Sequence, residues 1–252
     1  MVDANRVRWV ALVMPLVACG RVEAPVDGCV AAQQITAVES GDPTFESGCM
    51  RGRWALLSPN GMTVPATAGQ PGNLAVVHPT VIGVGSNPLA PTSTFAVHVT
   101  GSGQENTAML NSFAHVTATL NMAPSGDAAS IDASAYTGVQ FDAIVNTGPL
   151  GARLNVGNLY TEPAGKMCST ESNAPPMTGC YDRPGATLAV NTSWTKYQVP
   201  FAGLLRSGFG NPSPVGSAFP KQAIVVLEWA IRIPDTGPTP PWELWIDDLE
   251  FY

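Results

Sequence analysis

The closing run Trp242-Glu243-Leu244-Trp245-Ile246-Asp247-Asp248-Leu249-Glu250-Phe251-Tyr252 sets two adjacent carboxylates inside an aromatic and aliphatic strand pattern. Alternation puts Trp245, Asp247, Leu249 and Phe251 on one face, where a half-buried carboxylate is costly unless something compensates it. Three explanations fit: Asp247 ligates a hard cation, it pairs with a positive side chain, or it is a solvated carboxylate at a chain end.

A second set of polar residues comes from the same alternation in other runs. Gln140 and Asp142 point away from the face that carries Phe141, and Arg153 and Asn155 oppose Leu154 and Val156. In 225–233, Val225, Leu227, Trp229, Ile231 and Ile233 share one face, leaving Glu228 and Arg232 on the other. His78, His98 and His115 are scattered, and the latter two fall inside short apolar runs, as hydrogen-bonded structural histidines do. No Gly-x-Ser-x-Gly elbow, Walker loop or His-Glu-x-x-His pair occurs, so acyl transfer, phosphoryl transfer and zinc proteolysis lack their usual marks.

The elements that must position these residues are strands. Gly 25 and Pro 23 punctuate 252 residues, only 12% are charged, and short runs rich in β-branched and aromatic residues recur between turn signals. The clearest are 95–99, 114–120, 138–145, 152–159, 187–190, 197–201, 224–233 and 243–251, none with a sustained helical period. The segment 59–91 reads as long loops around one or two strands, such as 74–77. An all-β sandwich is expected, in one domain, since no internal repeat or shift of composition marks another. A net charge of -7 with no basic stripe argues against nucleic acid as partner.

The N-terminus reads as a sorting signal. Arg6 and Arg8 form a basic region, 9–17 an apolar one too short to span a bilayer, and Leu16-Val17-Ala18-Cys19 follows. This resembles the lipobox of bacterial lipoproteins, which implies a signal peptide over 1–19, lipidation of Cys19, a tether over 20–34 and a domain over 35–252. An ordinary cleaved signal with an incidental Cys is the alternative. Gly20 after the Cys implies an outer-membrane or cell-surface location, with the lipid as the only contact with the membrane. Export leaves Cys29, Cys49, Cys168 and Cys180 in an oxidising compartment, where four cysteines allow three connectivities. The local pairing, Cys29 with Cys49 and Cys168 with Cys180, is preferred because each pair brackets one Gly/Pro/Ser-rich segment; no Cys-x-x-Cys spacing favours zinc.

Several motifs in order carry a family resemblance: Ile35 to Gly41, Gly52-Arg53-Trp54, Phe95 to Gly103, Ile131 to Phe141, Trp194 to Leu204 and Leu244 to Leu249. Together they resemble the galactose-binding-like jelly rolls of carbohydrate-binding modules, especially the glucan-binding family 11 type. The resemblance implies a two-sheet jelly-roll β-sandwich that binds a polysaccharide or glycan without cleaving it. It implies a structural calcium held by Glu39 and Asp247, with Asp42 as a helper. It also implies a ligand face built from Gln140, Asp142, Arg153, Asn155, Glu228 and Arg232, with Tyr160, Tyr181 and Trp194 near strand ends for stacking; core is the preferred reading of Trp194 and Trp229. The competing readings are a wet face with internal Arg-carboxylate pairs, a structural or adhesive surface module without a sugar site, and a glycan-cleaving enzyme in which Asp142 and Glu228 face each other as acid and base.

Overall fold

A computed structural model describes residues 29–36, 44–57, 63–64, 73–77, 96–101, 113–147, 151–171, 178–232 and 241–252. In chain order their strands are β1 (Gln34–Thr36), β2 (Thr44–Ser47), β3 (Met50–Leu57), β4 (Thr63–Val64), β5 (Asn73–Val77), β6 (Ala96–Gly101) and β7 (Phe113–Thr119). There follow β8 (Gly138–Thr147), β9 (Gly151–Asn158), β10 (Gly185–Ala189), β11 (Thr195–Pro200), β12 (Ile224–Arg232) and β13 (Trp242–Phe251). Every pairing among them is antiparallel.

Two sheets result, as expected of a sandwich. One runs β11-β8-β13-β6-β5 with β1 added on β13; the other runs β10-β9-β12-β7-β3-β2 with β4 added on β3. The core lies between them, because one face of each strand is apolar. Phe141 of β8 meets Trp229 of β12 edge to face at 5.2 Å, and Trp229 stacks obliquely on Trp54 of β3 at 5.4 Å. Trp229 and Phe141 are completely buried. Alternation does not reveal β2 and β3, since Arg51-Gly52-Arg53 interrupts their apolar pattern; Gly52 is required there, as an added Cβ would overlap the Phe45 ring and the Thr119 carbonyl.

Two bulges alter the faces expected from simple alternation. In β13 the register slips between Asp247 and Glu250, and Asp248 takes a left-handed φ of 46°. Leu244 and Ile246 therefore face the core before the bulge, and Leu249 and Phe251 after it. Trp245 belongs instead to a small cluster with Ala96, Ile144 and Trp194 on the outer side of the first sheet, so the expected common face of Trp245, Asp247, Leu249 and Phe251 is not formed. In β12 a slip between Ile224 and Val226 takes Val225 off the Leu227-Trp229-Ile231 face and into a cluster with Leu159 and Ala223.

Cys29 is bonded to Cys49 and Cys168 to Cys180, the local pairing. The second bridge fixes the crossing from β9 to β10, and the first ties the segment before β1 to the β2–β3 turn. Among the described residues, no helix is long and apolar enough to cross a membrane.

Candidate functional site

The sandwich sorts the expected polar set onto two opposite sides. Gln140 and Asp142 stand on the outer side of the β8 sheet, whereas Arg153, Asn155, Glu228 and Arg232 stand on the outer side of the β12 sheet. The whole core separates Asp142 from Glu228, so they do not face each other as an acid and base. Trp194 is on the Asp142 side, packed on Trp245 and Ile144. Tyr160 follows β9, with its carbonyl accepting from Asn211 Nδ2 at 2.9 Å.

On the β12 side the centre is a buried charge network. Glu228 pairs in register with Asn155 of β9 and Thr117 of β7, which places its carboxylate mid-sheet. Asn155 Nδ2 donates to Glu228 Oε1 at 2.7 Å, His115 Nδ1 lies 3.1 Å from Oε2, and Arg183 Nη1 donates to the same oxygen. The rest of the Arg183 fork grips Glu162 twice, Nε to Oε1 at 2.6 Å and Nη2 to Oε2 at 2.9 Å. All three charged side chains are at most 7% exposed. Burial alone would raise the Glu228 carboxyl, but Arg183, His115 and Asn155 hold it down at about 2. Burial would likewise lower the Arg183 pKa, and the two carboxylates reverse that and raise it above its ordinary value.

Arg153 extends the network outward. Its Nε donates to Asn155 Oδ1 at 2.7 Å and its Nη2 to the Leu205 carbonyl, which is beside Gly185 at the β10 edge. Gly185 is small for a reason: a Cβ would strike Asn155 Oδ1 at 2.2 Å. A rim of loops borders this side. The Asp182 carboxylate is fully buried and accepts from the N–H groups of Ser207 (3.1 Å), Gly208 (3.0 Å) and Gly210 (3.0 Å), and from Arg206 Nη2 at 3.2 Å. Beside it, Tyr181 adopts a φ of 74°, is 51% exposed and lies with its ring 5.3 Å from the Arg183 guanidinium. A non-glycine residue held there stores about 1–3 kcal/mol, offset by the disulfide and the Asp182 anchor on either side.

No family model matches the chain, and no curated protein matches it. Among solved structures it is similar to the family 11 carbohydrate-binding module of a cellulosomal cellulase of Clostridium thermocellum, at 12% identity over 88% of this chain and 95% of that one, with a TM-score of 0.42. The family 11 module of Clostridium thermocellum in complex with a β-1,3-1,4-mixed-linked tetrasaccharide is 10% identical over 81% and 96%, with a TM-score of 0.40. The glycoside hydrolase domain of Endo-D from Streptococcus pneumoniae is 9% identical over 81% and 22%, with a TM-score of 0.39. Such values leave the reading of the site to its own geometry.

The opposite side is chemically different. Gln140 Nε2 donates to Glu250 at 2.7 Å, and Asp142 is raised by burial and by Asp248 and Glu250, against Lys196. His98 stacks on Trp245 at 3.9 Å and bonds Glu243 at 2.6 Å, and burial lowers it despite that carboxylate. Both His98 and His115 are thus held by carboxylates. Asp247 is buried, one of its oxygens accepting from the Asp248 N–H at 2.7 Å. β1 ends at Thr36 opposite Leu249, beside this bulge. Glu39 and Asp42 lie outside the described residues, as do Cys19 and His78, and among the described residues no three metal-type side chains converge.

Strand alternation does not single out Glu162, Arg183, Asp182 and Arg206, which lie outside the strands. The available signal was the disulfide: Glu162 and Arg183 lie just outside the Cys168–Cys180 bracket, which brings them together.

The network makes stability acid-sensitive. Glu228 titrates near 4.5 unfolded and near 2 folded, so its contribution is present above about pH 4.5 and is lost as the pH falls from there through 2. Melting temperature measured from pH 7 to 2 should drop through that window, and Glu228→Gln should be less stable at pH 7, by about 3 kcal/mol, with a shallower acid slope. An unchanged slope would remove Glu228 from this role. Arg183→Met, which strands two buried carboxylates, should cost about 3–5 kcal/mol at pH 7.

Proposed function

We propose that the protein binds a polysaccharide or glycan without cleaving it, through the outer side of the β12 sheet and its loop rim. The observation that carries this reading is Arg153: a half-buried guanidinium, oriented by Asn155 and the Leu205 carbonyl, and linked through Asn155, Glu228 and Arg183 to an exposed Tyr181 ring on a strained but anchored backbone. Oriented amide and guanidinium donors match sugar hydroxyls, and an exposed ring matches the apolar face of a pyranose. Glycoside cleavage needs a carboxylic acid that keeps its proton near neutral pH. Glu228 is held ionised instead, and Asp142 is on the far side of the core.

The same reading includes a structural calcium and a lipid anchor at the outer membrane or cell surface. Asp247 supports the first as one ligand: its carboxylate is buried at a bulge beside the end of β1, after which Glu39 and Asp42 follow in the chain. Bound calcium would supply a cross-link between the two chain ends. The run Leu16-Val17-Ala18-Cys19 supports the second.

Three measurements test these statements. In affinity gels or a glycan array the protein should be retained by at least one polysaccharide, and Arg153→Ala or Tyr181→Ala should weaken binding about tenfold or more, since a charged hydrogen bond contributes about 1.5–3 kcal/mol; no retention anywhere, with both variants behaving as the parent, would favour a structural or adhesive module. EGTA should lower the melting temperature and excess calcium restore it, as for any ion bound only by the folded state; an identical melt in Asp247→Asn and parent, with and without chelator, would exclude the cation. Metabolic palmitate labelling should be abolished in Cys19→Ser, and labelling that persists would place the lipid elsewhere.

A further inference from the structure

Apolar side chains that stay in water gather at one end of the sandwich. Among the described residues the large exposed ones are Val30, Met167, Tyr181, Leu205, Phe209 and Val215. Register marks the end they share: Asn158 closes β9 opposite Ile224, where β12 begins, and just past β7 Leu120 donates to the Val225 carbonyl at 3.0 Å. Val215 lies two residues beyond Ser213, whose hydroxyl bonds the Asn158 side chain. Asn211 Nδ2 holds the carbonyls of Tyr160 at 2.9 Å and Met167 at 3.0 Å, and Gly210, next to Phe209, donates to Asp182 at 3.0 Å. Leu205 is nearby at the β10 edge, bonded to Gly185. The Tyr181 ring turns to Arg183 and belongs with the glycan face, which leaves Met167, Phe209, Val215 and Val30 without a role.

The N-terminal segment enters at this same end. A series of backbone bonds leads from it to the rim: Asp132 donates to the Cys29 carbonyl at 2.9 Å, Ile131 to Ile224 at 2.8 Å, Leu159 to Ala223 at 3.1 Å and Tyr181 to Thr161 at 2.7 Å. The Cys29–Cys49 bridge clamps the entering chain to the β2–β3 turn. Only residues 20–28 separate Cys29 from Cys19, so a lipid on Cys19 holds this end within about 36 Å of the bilayer, at about 3.6 Å per residue. A net charge of -7 gives no attraction to anionic head groups, so any hold on lipid must come from apolar area. The charges behind the rim are already paired, Asp182 with Arg206 and Glu162 with Arg183, so their partners are kept when water leaves.

We propose that this end of the sandwich docks on the phospholipid bilayer that carries the anchor, with Met167, Phe209, Val215 and Val30 reaching the boundary between head groups and acyl chains. The inference rests on the lipid-anchor part of the reading above and adds a second contact that fixes orientation. A tether alone leaves the domain free to turn. An apolar patch within the tether's reach meets the bilayer at high effective concentration, so a small buried area is enough to hold it there. The outer side of the β12 sheet runs along the strands rather than across their ends, so docking leaves Arg153 in water and open to a polysaccharide.

The test places the mature exported protein on phosphatidylcholine vesicles whose brominated acyl chains quench a nearby indole. Phe209→Trp should lose most of its added emission, with a blue shift, and keep that response at high salt, because apolar contact is not screened as charge is. Ala189→Trp should show no loss: Ala189 is exposed and pairs with Gly151, about 23 Å along β9 from Asn158. Adding Met167→Ser and Val215→Ser should weaken the Phe209→Trp response about twofold or more at an unchanged melting temperature, with retention by polysaccharide as in the parent. No quenching at position 209, equal quenching at 189 and 209, or a response lost in salt would overturn the docking. A concentration-dependent dimer broken by Phe209→Ser would assign the patch to a second copy and overturn it too. Palmitate labelling of Cys19 separates the two readings: labelling without quenching removes the docking alone, quenching without labelling removes the anchor alone, and the lack of both removes both.

Discussion

The Arg183 guanidinium, buried between Glu162 and Glu228, is the interaction on which the rest of this side depends. A buried cation is tolerable only with close, hydrogen-bonded anions, and here one comes from a loop and the other from the middle of a sheet. The ion pairs therefore hold the loop residues around Glu162 and Arg183 down on β9 and β12. Gly157 reports the closeness: a Cβ there would meet both Val226 and Glu162. Asn155 donates to the other oxygen of Glu228, and His115 lies 3.1 Å from the one that Arg183 holds, which ties the side chains around Arg153 into the node as well.

The bulge at Asp247 and Asp248 plays the matching part in the other sheet. β13 sits between β8 and β6, so its inner face is committed to the core. With strict alternation, a strand that buries Leu244 and Ile246 would turn Leu249 and Phe251 outward. One extra residue, in a left-handed conformation, resets the parity and returns both to the core while Asp247 stays on the outer side. The double carboxylate that dominates the final run is thus the signature of a register device.

How far this was legible in the sequence follows from the range of the interactions. Strands β6 to β13, other than the parities at the two bulges, follow from alternation and turn residues, and the local disulfides from segment spacing. The face assignments of Arg153, Asn155, Glu228 and Arg232 were also legible, because each is local. What alternation cannot supply is which outer face belongs to which sheet: Asp142 and Glu228 look equivalent in their own strands, and only the order β11-β8-β13 against β9-β12-β7 sets them on opposite sides. The node itself joins Glu162, Arg183 and Glu228 across three segments, two of them without periodicity, so no local pattern announces it.

The loops on the rim are ordered by the same kind of fixed polar contact as the node. Asp182 spends its carboxylate on three backbone N–H groups and Arg206, the disulfide closes the loop on its other side, and Asn211 Nδ2 bridges to the carbonyls of Tyr160 and Met167. Their ordering entropy is lost on folding, so a ligand that contacts them need not bear it again. Tyr181 is exposed because its neighbours are fixed, and its unfavourable φ persists for the same reason. A proton-transfer site needs groups whose charge changes easily, whereas Arg183, His115 and Asn155 hold the Glu228 carboxyl well below its ordinary value. The arrangement is a surface ordered before any ligand arrives, which is the condition the proposed glycan binding places on it.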